Sequence, residues 1–494
     1  MRLTTTQTDR ALGVLLGQAC GDALGVPYEF GTPPGPQGTA EMRGGGLGDY
    51  APGEWSDDTQ MATCIAEVAA TGADLTTAEA LDEIAEGFLR WRSHGPADIG
   101  VQTSAVLSAA DRLQGRPSDR LAKAASDYTA SHAHSAGNGA LMRTSVVALA
   151  SLDDPELTAR AAREIAKLTH ADPLAGDSCV IWSEAVRVAV VKGRFDLLGG
   201  LKLIPTKRQD AWATWLHDAL NDEPGRFTPN GFTVTALQAA ASAIVRTPTP
   251  DLQPARASYP CLHLQHALHA AVRIGDDTDT VAAIAGGLLG ARWGASAVPA
   301  EWSRILHGWP GLRARGLTAL AALTANGGHP DGAGWPSGTH VRYPGDRTPA
   351  IAHPLDEGVW LGTADCGGHD ADAVVSLCRL GTAQVPAVGA EPRNHIEVRL
   401  IDSDDPDDNP NLHFVLADTA ATIQRLRDEG RTVLVHCVAA QQRTPSVAAA
   451  YARVLGASAD EAHRVVRAAL PNARGSGRLW DAAVEITPEA LASR

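Results

Sequence analysis

Between about residue 8 and residue 325 the apolar positions recur at three- and four-residue spacing. The stretches 77–91, 154–170 and 280–294 show it most clearly, and each predicts an amphipathic helix. Strand-like alternation is almost absent from this region. The breaks fall at clusters of Gly, Pro and Asn, at 31–38, 221–231 and 246–254. The pattern changes after residue 325. Residues 326–349 are dense in Gly and Pro and read as a linker. Beyond them short β-type runs at 359–362, 395–401 and 432–437 alternate with helical stretches. The expected architecture is an all-α domain over 1–325, the linker 326–349, and a smaller α/β domain over 350–494 with a central sheet flanked by helices.

The length of 494 residues agrees with more than one core. A net charge of −15 argues against generic attraction to nucleic acid or to anionic membranes. There is no uninterrupted run of about 18 apolar residues, and the N-terminus begins too polar for a signal peptide. The expected location is cytoplasmic. Seven scattered cysteines without a Cys-x-x-Cys pair suit reduced thiols.

Two places concentrate oxygen ligands at predicted helix starts. One is Ser56-Asp57-Asp58-Thr59; the other is Gly275-Asp276-Asp277-Thr278-Asp279-Thr280. Clustered carboxylates and hydroxyls are hard donors that suit Mg²⁺ or Mn²⁺. Capping of the helix N-termini is the alternative use of such residues. Capping needs only one or two oxygens, whereas five acids gathered together repel one another unless a cation offsets them.

These segments, in order with Gly21-Asp22-Ala23-Leu24-Gly25…Glu29, with Ser135-Ala136-Gly137-Asn138-Gly139-Ala140-Leu141-Met142-Arg143 and with Thr169-His170-x-Asp172-Pro173, resemble the ADP-ribosylglycohydrolase family over roughly 8–325. The resemblance implies an all-α fold and two Mg²⁺ (or Mn²⁺) ions. The acceptor carrying the ADP-ribose is a protein, a nucleic acid or a small molecule. Carried over by position, Ser56, Asp57, Asp58, Asp277, Asp279 and Thr280 are expected as metal ligands, with Ser56 standing where the family more usually has Thr. Glu29 is expected beside the site, as a ligand or as the carboxylate acting on the attacking water. The backbone of Gly137, Asn138 and Gly139 is expected against the pyrophosphate, with His170 and Asp98 near the substrate.

A second constellation lies at the end of the run 432–437. His436-Cys437-Val438-Ala439-Ala440-Gln441-Gln442-Arg443-Thr444-Pro445 joins a strand to a helix through a tight loop. Such a loop converges backbone N–H groups and a helix dipole on an anion, and a thiolate held there can attack phosphorus. Arg443 can grip two phosphoryl oxygens, and Thr444 can support the leaving thiolate. These residues resemble the dual-specificity branch of the cysteine phosphatases, over roughly 350–485, with 359–377 resembling its opening strand and helix. A phosphorylated substrate follows from that resemblance. The general acid is expected among Asp402, Asp404 and Asp405, with Asp402 favoured and Asp405 next. Ala440 stands where that family usually has Gly. If φ there must be positive, the loop is strained, and a phosphate-binding module of little or no turnover is the alternative to an active enzyme.

Overall fold

A computed structural model describes residues 2–343 and 349–487. Residues 344–348, the last part of the expected linker, lie outside the described residues. The chain divides into two compact units. Unit 1 comprises Met1–Pro248, His263–Val298 and Ile305–His329; unit 2 comprises Thr249–Leu262, Pro299–Arg304 and Pro330–Arg494.

Unit 1 is helical, apart from a two-stranded ribbon of His307–Gly308 and Leu312–Arg313. Its centre is the helix Thr5–Gly25. A capping box starts it: Thr4 Oγ1 accepts from Gln7 N at 3.2 Å, and Thr4 N donates to Gln7 Oε1 at 3.0 Å. From Ala11 onward every residue of this helix is buried. Along one face run Gly13, Gly17, Gly21 and Gly25, at the four-residue spacing that places them one above the other. The helix Thr278–Trp293 lies against that face. A Cβ at Gly17 would stand 2.4 Å from Gly286 O, and at Gly21 2.0 Å from Ala282 O. At Gly25 it would meet Asp279 Cα at 2.3 Å. Only glycine permits this backbone approach, and the seam brings the end of the first helix to the start of the other. The remaining periodic segments form the helices Ala78–Ser93 and Pro155–Lys167.

Unit 2 holds a five-stranded sheet. In spatial order the strands are Ile351–His353, Asp356–Thr363, Val433–Cys437, Ala373–Ser376 and His395–Glu397. The first pair is antiparallel and the others are parallel. Val433–Cys437 is central and buried at every position, as a strand covered on both faces must be. The helices Leu412–Asp428 and Arg443–Val454 pack on each other. Two expectations need correction. The run 395–401 is a strand only over His395–Glu397. The helix expected after 359–362 is absent: a turn-rich segment leads to the strand Ala373–Ser376, whose Ala-Val-Val-Ser is buried throughout.

Candidate active sites

The seam between the two central helices of unit 1 ends in acid. Asp22 is fully buried near the end of the first helix. Its Oδ1 accepts from Ser56 N and Ser56 Oγ, both at 2.8 Å, and its Oδ2 accepts from Thr59 N at 3.0 Å. Asp22 therefore caps the helix Asp57–Ala69 from a distant part of the chain. Ser56, at the N-cap position, makes no capping bond; its hydroxyl lies between Asp22 and Asp58 Oδ2, the latter at 2.9 Å. Asp277, at the N-cap of Thr278–Trp293, also makes no capping bond. Its carboxylate instead accepts from Asn138 Nδ2 at 2.7 Å. With Asp22 capping the helix Asp57–Ala69, Ser56 and Asp277 are left free of the capping duty that their N-cap positions would give them.

Asp22, Asp58 and Asp279 form one group whose oxygens lie within 4.8 Å of one another; Glu29, Asp277 and Asp279 form a second. Each can hold a metal ion, and Asp279 belongs to both. Burial pushes all these carboxyls up, and their mutual repulsion adds to it for Asp58, Asp279 and Glu29. Asp22 is raised to about 6 and Glu29 to about 9. Asp57 rises well above its ordinary value through burial and through Asp98. Asp58 Oδ1 and Glu29 Oε2 are buried without a hydrogen-bond partner. Orphaned oxygens and crowded negative charge fit a cation-binding centre, while the positive ends of the two helices favour the carboxylates themselves. Strain marks the same place. Phe30 (φ 46°) and Asp276 (φ 59°) both adopt left-handed backbone, and Phe30 N donates to Asp276 O at 2.7 Å. This bond ties the loop carrying Glu29 to the loop carrying Asp277.

The glycine turn stands next to this cluster. A Cβ at Gly139 would come within 3.0 Å of the His170 ring and one at Gly137 within 3.3 Å, so both glycines make room for the imidazole. Asn138 departs from expectation. Its backbone N–H donates to Gly231 O at 3.1 Å and is engaged within the chain, while its side chain bridges Asn230 O and Asp277. Asp98 is half-buried, accepting from Ile99 N at 2.7 Å.

In unit 2, Cys437 ends the central strand and is buried. Among the described residues, none of the backbone N–H groups from Val438 to Arg443 meets an acceptor, leaving a row of donors before the helix Arg443–Val454. Ala440 has φ 51°, so the loop does require the left-handed conformation that glycine favours. Arg443 Nη1 donates to Leu377 O at 2.5 Å, and its Nε lies 3.5 Å from Asp402 Oδ2. Of the three candidate acids, Asp402 alone pairs with Arg443. Asp404 is held down in pKa by the Arg478 N–H and by Arg474, which suits a permanent anion better than an acid. Asp405 accepts from Asp407 N. Thr444 is buried, with its hydroxyl 3.4 Å from Gly362 O.

A hydrogen-bond relay runs behind Cys437. Ala387 N donates to His395 Nδ1 at 2.8 Å, which leaves the His395 proton on Nε2, 2.8 Å from Ser376 Oγ. Ser376 Oγ can then donate to His436 Nε2 at 2.6 Å. That puts the His436 proton on Nδ1, facing Cys378 Sγ at 4.0 Å. Burial lowers His436 to about 4, so it is neutral.

Residues 3–330 match the ADP-ribosylglycohydrolase family. The chain belongs to that family. The ADP-ribosyl-[dinitrogen reductase] glycohydrolase of Rhodospirillum rubrum is 28% identical over 303 residues, 60% of this chain and 89% of that one. An ADP-ribosylarginine hydrolase of Serratia proteamaculans is 27% identical over 305 residues, 60% and 74% of the two chains. Among solved structures, an ADP-ribosylglycohydrolase-related protein complex superposes with a TM-score of 0.51 at 28% identity, covering 66% of this chain and all (100%) of that one. The human phosphatase DUSP28 is 25% identical with a TM-score of 0.24, over 30% of this chain and 98% of its own.

Sequence reasoning missed Asp22 as a site residue, together with Ser376 and His395. A buried acid inside a helix of apolar and small residues was a readable signal for Asp22. Ser376 and His395 had none, because parallel register alone places Ser376 beside His436 and Val374 beside His395.

Proposed function

We propose that unit 1 is a metal-dependent hydrolase that releases ADP-ribose from a modified acceptor, and that unit 2 hydrolyses phosphate esters through Cys437. The observation that most supports the first reading is that Asp279 belongs to both carboxylate groups. On this reading Ser56, Asp57, Asp58, Asp277, Asp279 and Thr280 hold two divalent cations, Mg²⁺ or Mn²⁺, with Asp22 anchoring the helix that carries three of them. When bound, the cations supply charge that orients the distal ribose and polarises water. Glu29, with Oε2 unpartnered and ionised once bound cations offset the neighbouring carboxylates, would take a proton from the water that attacks the anomeric carbon. The bond from that carbon to the acceptor breaks, and the acceptor leaves with the proton that Glu29 took from the water. Fixed carboxylates stabilise positive charge developing on the sugar. Asp98, Gly137, Gly139 and His170 line the ADP-ribose, with Asn138 acting through Asp277.

In unit 2 the Cys437 thiolate attacks phosphorus, forming an S–P bond as the ester P–O bond breaks. Asp402 protonates the departing oxygen, and water then releases phosphate from sulfur. The free N–H row and Arg443 hold the phosphoryl oxygens, and Thr444 supports the leaving thiolate. Ala440 at φ 51° favours the second reading, a phosphate-binding module of little turnover.

The metal reading is tested by Mn²⁺ titration calorimetry. A stoichiometry of two that falls in Asp279→Asn supports it; no binding to folded wild-type protein would contradict it. For unit 2, aryl phosphate turnover is compared between wild type and Cys437→Ser. Equal rates rule out Cys437 as the nucleophile. Inorganic phosphate binding without turnover favours the binding module.

A further inference from the structure

Behind the glycine turn of unit 1 lies a buried guanidinium that has no ion-pair partner among the described residues. Arg143 is 0% exposed. Its guanidinium sits 4.5 Å from the centre of the Phe88 ring, Nη1 reaches Met61 Sδ at 3.4 Å, and Nε has no hydrogen-bond partner. Among the described residues it forms no ion pair. A charge kept in such a place is expensive and calls for a function.

The one oxygen Arg143 grips is Thr169 Oγ1, 2.6 Å from Nη2. The same oxygen is 2.7 Å from His170 Nδ1. A guanidinium can only donate, so one lone pair of Thr169 Oγ1 is taken by Arg143. Among the described residues, the hydroxyl proton has one acceptor within hydrogen-bond distance, His170 Nδ1. Were Nδ1 itself protonated, the buried Thr169 O–H would be left unpaired, which the chain has no means to offset. Nδ1 therefore accepts, and the imidazole proton sits on Nε2. Burial and the charge of Arg143 both hold the ring neutral, with a pKa lowered to about 3. Nε2 lies 3.3 Å from where a Cβ would stand at Gly137 or Gly139, and among the described residues nothing in the chain accepts from it.

We propose that Arg143 and Thr169 are positioning residues that lock His170 in its Nε2–H tautomer, aimed at the glycine turn as a donor to an oxygen of bound ADP-ribose. This rests on reading unit 1 as an ADP-ribosyl hydrolase. It assigns work to an arginine that otherwise has no visible task, and it explains why the donor is a neutral imidazole. A neutral ring keeps Nδ1 free to accept from Thr169, so its orientation is held from behind while Nε2 faces the ligand.

The test combines a spectrum and a binding series on the full-length protein with Mg²⁺ present. Nitrogen-15 histidine NMR of the wild type should show His170 protonated at Nε2 only; protonation at Nδ1 overturns the proposal. Thr169→Val keeps the shape and removes the hydroxyl. Its affinity for ADP-ribose should fall about 10-fold by calorimetry, the effect of one hydrogen bond. On ADP-ribosyl-arginine, KM should rise more than kcat falls. Thr169→Ser should restore affinity to within about twofold. Wild-type affinity in Thr169→Val overturns the proposal, and so does a loss in Thr169→Ser as large as in Thr169→Val. If Thr169→Val does not fold, the wild-type spectrum and Thr169→Ser decide. Wild-type protein that binds no ADP-ribose overturns the hydrolase reading and the donor role with it, while the spectrum still reports the tautomer.

Discussion

Asp279→Asn should make the metal-free protein more stable while abolishing its response to metal. Asp279 is 1% exposed, and its oxygens lie within 4.8 Å of carboxylate oxygens of Asp22, Asp58, Glu29 and Asp277. Two charges at that separation repel by roughly 3.5 kcal/mol at an effective dielectric constant of about 20. Part of the repulsion is avoided by proton uptake, so a net gain of about 1–3 kcal/mol is expected from the neutral amide. The pH dependence has a definite sign. Asp22 and Glu29 are raised in the folded state to about 6 and about 9, above their values in an unfolded chain. Their contribution is fully present in acid, below about pH 4. It is lost as pH rises through about 6 for Asp22 and about 9 for Glu29. The assay is thermal unfolding with chelator and with millimolar Mn²⁺, at about pH 5 and pH 8. Wild type in chelator should melt lower at the higher pH and recover with Mn²⁺. Asp279→Asn in chelator at the higher pH should melt roughly 2–10 °C above wild type and gain nothing from Mn²⁺. An Asp279→Asn melting point below that of wild type in chelator, or an undiminished Mn²⁺ shift, would refute the reasoning.

Gly21→Ala should destabilise unit 1 by about 3 kcal/mol or more, because the new Cβ would stand 2.0 Å from Ala282 O; denaturant unfolding reads this directly. Asp22→Ala removes three hydrogen bonds from the start of the helix Asp57–Ala69. It should cost about 2 kcal/mol in unfolding free energy and weaken Mn²⁺ binding in calorimetry. In unit 2, Asp402→Asn should lower aryl phosphate turnover about 100-fold, whereas Asp404→Asn should leave it nearly unchanged.

The helices of unit 1 were legible because a buried face repeats with the helical period, as in residues 77–91 and the observed Ala78–Ser93. The acidic clusters were legible because each is local: Ser56, Asp57 and Asp58 are consecutive, and so nearly are Asp277, Asp279 and Thr280. Asp22 was legible only as an acid inside an apolar helix; its capping role was not, since the partners it caps stand 34 and 37 positions away. The availability of Asn138 was misread for the same reason, its N–H being taken by Gly231 across a distant loop. Local chemistry foretold the strain at Ala440, where a Cβ meets a left-handed turn. The strand Ala373–Ser376 carried no alternation to announce it, because both faces are buried.

The central claim meets its most direct test in the hydrolysis of an ADP-ribosyl-arginine peptide and an ADP-ribosyl-serine peptide, followed by mass spectrometry. Each is incubated with the full-length protein in Mg²⁺, in Mn²⁺ and in chelator. The account predicts release of free ADP-ribose from at least one peptide with metal and none with chelator. Release that persists in chelator would contradict the metal-dependent mechanism, and no release in any condition from folded protein would contradict the hydrolase assignment itself.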